Sequence, residues 1–125
     1  GDSRAYRISK DGISQITKDH SLVQMMVERG ELSQGMAKKY PGKNLITRAI
    51  GTEPAVAGDI FHQKLEKQDC LLLCTDGLSN MLENNEILNI IINNKFENAA
   101  EALVSEANEK GGIDNITAVL ISNIK

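Results

Sequence analysis

The sequence predicts an α+β fold, and three observations carry this. Short β-prone runs around an Asp-Gly pair open the chain. One apolar run, Cys70-Leu71-Leu72-Leu73-Cys74, sits past its middle. Two apolar stripes at helical spacing follow, between residues 84 and 107, ahead of a last β-branched run. Strands joined by a hairpin, with helices gathered late, suit α+β better than alternating βαβ units.

Residues 5–9 and 13–17 flank Lys10-Asp11-Gly12 and predict a hairpin. Asp19 and Ser21 are candidate caps for a helix carrying Leu22, Val23, Met26 and Val27, which Gly30 ends. Ser33 caps a short second helix, which Gly35 weakens by about 1 kcal/mol relative to alanine. Residues 40–44 form a turn, residues 45–50 a strand and residues 56–61 a weaker one. The span 30–54 is the least regular and reads either as a flap or as an ordinary long connection. The 70–74 run lacks polar alternation. It predicts a central strand covered on both faces, with Leu71, Leu72 and Leu73 all buried. It runs into Thr75-Asp76-Gly77, and residues 78–82 are ambiguous. Asn84 is a candidate cap for a helix carrying Ile87, Leu88, Ile91 and Ile92. Phe96, Ala99, Ala100, Leu103, Val104 and Ala107 stripe a further helix and leave Glu97, Glu101 and Glu106 to solvent. Gly111-Gly112 closes it, and residues 116–121 form the last strand.

The length of 125 residues fits one domain or a portion of one, and a 41% hydrophobic content supplies a core. A net charge of −3 and four scattered arginines argue against a nucleic-acid partner. No apolar run approaches the roughly 18 residues of a membrane span, so no membrane role is expected. Cys70 and Cys74 on one strand lie about 13 Å apart and close no disulfide, which points to a cytoplasmic setting. Two tyrosines, two phenylalanines and no tryptophan leave an aliphatic core without a stacking platform. The opening Gly1-Asp2-Ser3-Arg4 is not a signal peptide, and its abrupt lead into a strand suggests a cut inside a domain.

Three aspartates stand at places suited to chemistry. Asp76 follows the apolar strand and precedes Gly77, Asp114 lies between a helix and a strand, and Asp2 precedes the hairpin. A sheet can gather carboxylates from distant strand ends, and Mg²⁺ and Mn²⁺ prefer such oxygen donors. The plainer alternative is that each aspartate caps its own turn. His20 and His62 make no zinc motif, and no nucleophile elbow, dinucleotide fingerprint or P-loop occurs.

Taken together, Gly1-Asp2-Ser3-Arg4-Ala5-Tyr6, Thr17-Lys18-Asp19-His20-Ser21, Tyr40-Pro41-Gly42-Lys43-Asn44, residues 45–51, residues 71–77 and Gly111-Gly112-Ile113-Asp114-Asn115-Ile116-Thr117 resemble a known family. In order and spacing they resemble the C-terminal half of the bacterial-type PPM/PP2C metal-dependent protein serine/threonine phosphatases. The resemblance implies an α-β-β-α sandwich of two antiparallel sheets flanked by helices, with residues 1–125 supplying some strands of each sheet. It implies that Asp76 and Asp114 are ligands to a dinuclear Mn²⁺ or Mg²⁺ centre and that Asp2 helps hold a third, looser ion. Gly1, Gly77 and Asn115 would support the metal loops, and residues 38–54 would match part of a flap. No residue here matches a catalytic group, and His20 is not matched to the family's catalytic histidine. The family's N-terminal acidic pair, phosphate-binding arginine and Asp-Gly-x-Gly-Gly-His segment have no counterpart. Tyr40 stands where a histidine is usual, and Gly35 where a better helix former is usual.

The implied activity of the intact domain is metal-assisted hydrolysis of phosphoserine and phosphothreonine in proteins, by in-line attack of a metal-bound hydroxide. The chain alone is expected to be inactive, with its exposed edges covered by the N-terminal half or by a second copy. Two alternatives stand beside this: a non-catalytic phosphatase-like module acting through protein interaction, and an α+β domain whose aspartates only cap turns.

Overall fold

In the computed structural model, which describes residues 1–123, nine elements follow one another. They are β1 (Arg4–Ser9), β2 (Gly12–Gln15), α1 (Leu22–Glu28), α2 (Gln34–Ala37), β3 (Cys70–Cys74), α3 (Asp76–Ser79), α4 (Asn84–Asn93), α5 (Phe96–Glu109) and β4 (Ala118–Ser122). The chain forms two compact units, one of residues 1–2 and 18–60, the other of residues 3–17 and 61 onward.

The second unit holds one antiparallel sheet in the order β2-β1-β3-β4. The α+β class stands. Among the described residues the strands form a single sheet with helices against it, rather than being divided between two sheets. Tyr6, Leu72 and Leu120 are aligned across the sheet, as are Ala5, Leu73 and Val119. Side chains alternate between faces along a strand, so these two rows face opposite ways. Tyr6, Ile8, Leu72 and Cys74 pack with Leu78, Leu82, Ile87, Ile91, Leu103 and Ala107 of the helical segments.

The opposite face explains a correction. Leu72 is fully buried, but Leu71 is only half-buried and Leu73 is 40% exposed, as are Val119 at 47% and Ile121 at 44%. The lack of polar alternation in 70–74 therefore does not mean that this chain covers both faces. The helices bury one face, and the apolar residues of the other remain open.

Helix starts are mostly local. In the second unit the cap of α4 lies one residue before the expected Asn84: Glu83 is the N-cap, and its backbone N–H donates to Glu86 Oε1 at 3.1 Å. Lys110 at the end of α5 pairs with the same Glu86. Gly111 (φ 139°) and Gly112 (φ 52°) then turn the chain in the left-handed region that favours glycine. Both cysteines are free thiols.

In the first unit Ser21 accepts a hydrogen bond from Gln24 N–H, and Ser33 one from Met36 N–H, as N-caps of α1 and α2. Residues 45–50 form no strand: Ile46 makes a single bridge to Ser21, and Ile50 is 94% exposed. Residues 56–61 are likewise irregular. β-prone composition alone holds no strand when no neighbouring strand offers a ladder. Among the described residues no helix is long and apolar enough to cross a membrane.

Candidate functional site

Strand β3, buried on one face only, delivers Thr75 and Asp76 to the end of the sheet, where Asp76 begins α3. Asp114 and Asn115 arrive from the other direction, between the glycine turn after α5 and the start of β4. Three hydrogen bonds join these loops. Thr75 N–H donates to Thr117 O at 3.2 Å, Thr117 N–H donates to Thr75 Oγ1 at 3.0 Å, and Thr75 Oγ1–H donates to Asn115 O at 3.3 Å.

Gly77 makes the closest approach. A Cβ placed on it would stand 2.1 Å from Asn115 O and 2.9 Å from the Asn115 carbonyl carbon. Only a residue without a side chain lets these two backbones touch. The fold therefore seats Thr75-Asp76-Gly77 directly against the Asp114-Asn115 loop, although Thr75 and Asn115 are 40 positions apart.

The two carboxylates differ in surroundings. Asp76 is half-buried, and its side chain takes no hydrogen bond or ion pair among the described residues. Asp114 is exposed, and its Oδ1 accepts from Asn115 N–H at 2.7 Å. That bond comes from the next residue's N–H, not from the N–H two residues on that an Asx-turn uses, and it engages one of the two oxygens. Asn115 braces the junction through its backbone, donating to Asp114 and accepting from Thr75.

As a donor set, two carboxylates with unengaged oxygens fit part of the shell of a hard divalent cation. They do not complete one. Among the described residues no three or more His, Cys, Asp or Glu side chains converge. Gly1 and Asp2 belong to the first unit, where Gly1 O accepts from His20 N–H at 2.8 Å and Asp2 is half-buried.

Two features were not anticipated. Thr75 uses its hydroxyl between the loops instead of capping α3, which has no side-chain cap bond. In the first unit the Asp59 carboxylate lies 2.6 Å from His20 Nε2 and accepts from Arg48 at 3.0 Å. Arg48 also donates to Ala57 O at 3.2 Å. The hydrogen bond with His20, then that from Arg48, hold the Asp59 carboxyl below its ordinary pKa. Residues 39 positions apart carry no joint signal in one sequence. On the uncovered sheet face a cavity of about 370 Å³ opens beside Leu73, Thr75, Thr117 and Val119.

The fold and the site together define an α+β protein: a helix-backed antiparallel sheet with two aspartate-bearing loops in contact at one end. No family model matches the chain. The serine/threonine phosphatase stp of Listeria innocua is 40% identical over 122 residues, 97% of this chain and 48% of that protein. The PPM Ser-Thr phosphatase MsPP of Mycobacterium smegmatis, solved with cacodylate, aligns with TM-score 0.88 and 35% identity over 98% of this chain and 53% of its own. The catalytic domain of the phosphatase PstP, solved with two manganese ions, aligns with TM-score 0.80 and 33% identity over 96% of this chain and 49% of its own. The chain is thus similar to a C-terminal half of the PPM-type serine/threonine phosphatases and spans about half the length of the relatives it matches.

Proposed function

We propose that residues 1–125 are the C-terminal portion of a single PPM/PP2C-type domain that hydrolyses phosphoserine and phosphothreonine in proteins, and that this portion provides one side of its metal site. The contact of Gly77 with Asn115 carries the reading, because it puts Asp76 and Asp114 on adjoining loops of a rigid sheet end. Asp76 and Asp114 contribute carboxylate oxygens to Mn²⁺ or Mg²⁺, two ions in the core site, and Asp2 contributes to a third. When bound, such ions act as a Lewis acid and lower the pKa of a bound water. Asp76 and Asp114 are ligands in this scheme, not nucleophiles or proton donors. Gly77 and Asn115 fix the spacing of the two loops, and Gly1 holds the backbone before Asp2. The manganese-bound relative supports the choice of metal.

The remaining donors and the phosphate-binding group belong to the N-terminal portion of the domain. The open apolar row of Leu73, Val119 and Ile121 supports that portion as the cover of this sheet face. The protein is placed in the cytoplasm in this reading.

The test uses purified chain with excess Mn²⁺ and a phosphothreonine peptide, beside the complete domain and its Asp76→Asn variant. The chain alone turns over negligibly, and the complete domain turns over in a manganese-dependent way that Asp76→Asn abolishes. Robust turnover by the chain alone would show that its own residues suffice. A complete domain indifferent to Asp76→Asn would remove Asp76 from the site. A second copy as the natural cover would appear as a stable dimer of the chain that the N-terminal portion does not dissociate.

A further inference from the structure

A threonine at a helix N-cap ordinarily turns its hydroxyl back to accept from the second or third N–H of its own helix. Thr75 does not. It occupies the N-cap of α3 with extended backbone (φ −82°, ψ 167°), yet makes no side-chain cap bond. The first turn is closed through its backbone carbonyl, which accepts from Leu78 N–H at 3.1 Å. Its hydroxyl is spent elsewhere, accepting from Thr117 N–H at 3.0 Å and donating to Asn115 O at 3.3 Å. One oxygen thus spans the residue before Asp76 and the residues on the far side of Asp114. It uses its donor and an acceptor site on two different backbone groups of the same opposing loop.

We propose that Thr75 is a positioning residue for the metal site: its hydroxyl sets the register between the Asp76 loop and the Asp114 loop, and so the spacing at which the two carboxylates meet a divalent cation. This deepens the proposed function and rests on it. The chemistry required is narrow. A hydroxyl with one donor and a free lone pair on a short stem satisfies both partners at once. Serine retains that group, whereas valine keeps the branched shape and removes both bonds. Groups that orient metal ligands without touching the metal typically change affinity 10–100-fold when removed.

The experiment has two readouts. In the chain itself, amide hydrogen exchange by NMR reports whether Thr117 N–H is protected. In the complete domain, Mn²⁺ alone is titrated and the free ion followed by electron paramagnetic resonance, with Thr75→Ser, Thr75→Val, Thr75→Ala and Asp76→Asn compared. The expected result is faster exchange at Thr117 in the valine and alanine variants. Their Mn²⁺ affinity falls about 10-fold or more, and the serine variant stays within about twofold of the native protein. Native affinity in a folded valine or alanine variant overturns the proposal. So does a serine variant as weak as valine, because the hydroxyl would then not be the operative group. If valine fails to fold, alanine decides, being smaller and free of any clash. Unchanged binding in Asp76→Asn identifies failure of the metal-site reading itself, separately from the role of Thr75.

Discussion

Replacing Gly77 by alanine tests the junction at its tightest point. From helix propensity alone the change should help, since alanine is better than glycine in a helix by up to about 1 kcal/mol. The structure demands the opposite. The new Cβ would lie 2.1 Å from Asn115 O, and its two nearest neighbours are backbone atoms that cannot rotate away. Ordinary contact begins near 3.4 Å, so the loops must separate by more than 1 Å. That movement stretches the Thr75–Asn115 bond, already 3.3 Å, and the paired Thr75–Thr117 bonds at 3.0 and 3.2 Å. Overpacking costs about 1–3 kcal/mol, and each weakened hydrogen bond about 0.5–1.5 kcal/mol. Set against the propensity gain, these terms leave a net loss of at least about 1.5 kcal/mol. Urea unfolding at 25 °C followed by circular dichroism measures it, with the midpoint falling by about 1 M or more. A Gly77→Ala variant as stable as the native chain, or more stable, would refute the contact and with it the seating of Asp76 beside the Asp114 loop.

Leu72 and Leu73 should separate the two faces of β3. Leu72→Ala costs about 2–5 kcal/mol in urea unfolding because the side chain is fully buried, whereas Leu73→Ala, on the open face, costs under about 1 kcal/mol in this chain. Equal losses would contradict the one-sided burial. Asp59→Asn weakens the bonds to His20 and Arg48, so amides in residues 49–60 should exchange faster by mass spectrometry; unchanged exchange would show that the carboxylate does not hold that span. The Asp69 carboxyl is held below its ordinary pKa by the hydrogen bond from Glu66 N–H, then by Arg7. Its contribution is therefore present above the unfolded carboxylate value near 3.9 and is lost as pH falls through it toward the lower folded value. Asp69→Asn should be less stable than the native chain at pH 7 and lose less stability on acidification below about pH 4. Parallel stability curves against pH would exclude that role.

What the sequence made legible were features encoded locally. Ser21 and Ser33 cap the helices they precede, Lys10-Asp11-Gly12 turns a hairpin, and the stripe from Phe96 to Ala107 lies on one helix. The 70–74 run was legible as a strand but not in its exposure. An apolar side chain records which surface is eventually covered, not whether this chain supplies the cover, so Leu73 read as buried and is 40% exposed. Residues 45–50 misled for a related reason: Ile46 and its neighbours are β-prone, but strand formation depends on a partner elsewhere. Asp76 and Asp114 are singled out as candidate ligands by the order of short motifs, since nothing in their separate spacing joins them. The glycine that lets their loops touch had a local reason, close approach after a buried strand. The hydroxyl of Thr75 had none, because its partners lie 40 and 42 residues away. The His20–Asp59–Arg48 group stayed hidden on the same ground.

The most direct measurement is manganese anomalous scattering from crystals of the complete domain grown with Mn²⁺. The account predicts anomalous peaks with carboxylate oxygens of both Asp76 and Asp114 in their coordination shells, at about 2.0–2.2 Å, with several water ligands, as hard divalent cations prefer. Manganese peaks that engage neither aspartate, or an Asp114 whose carboxylate stays committed to its own turn while the ion is bound, would contradict it.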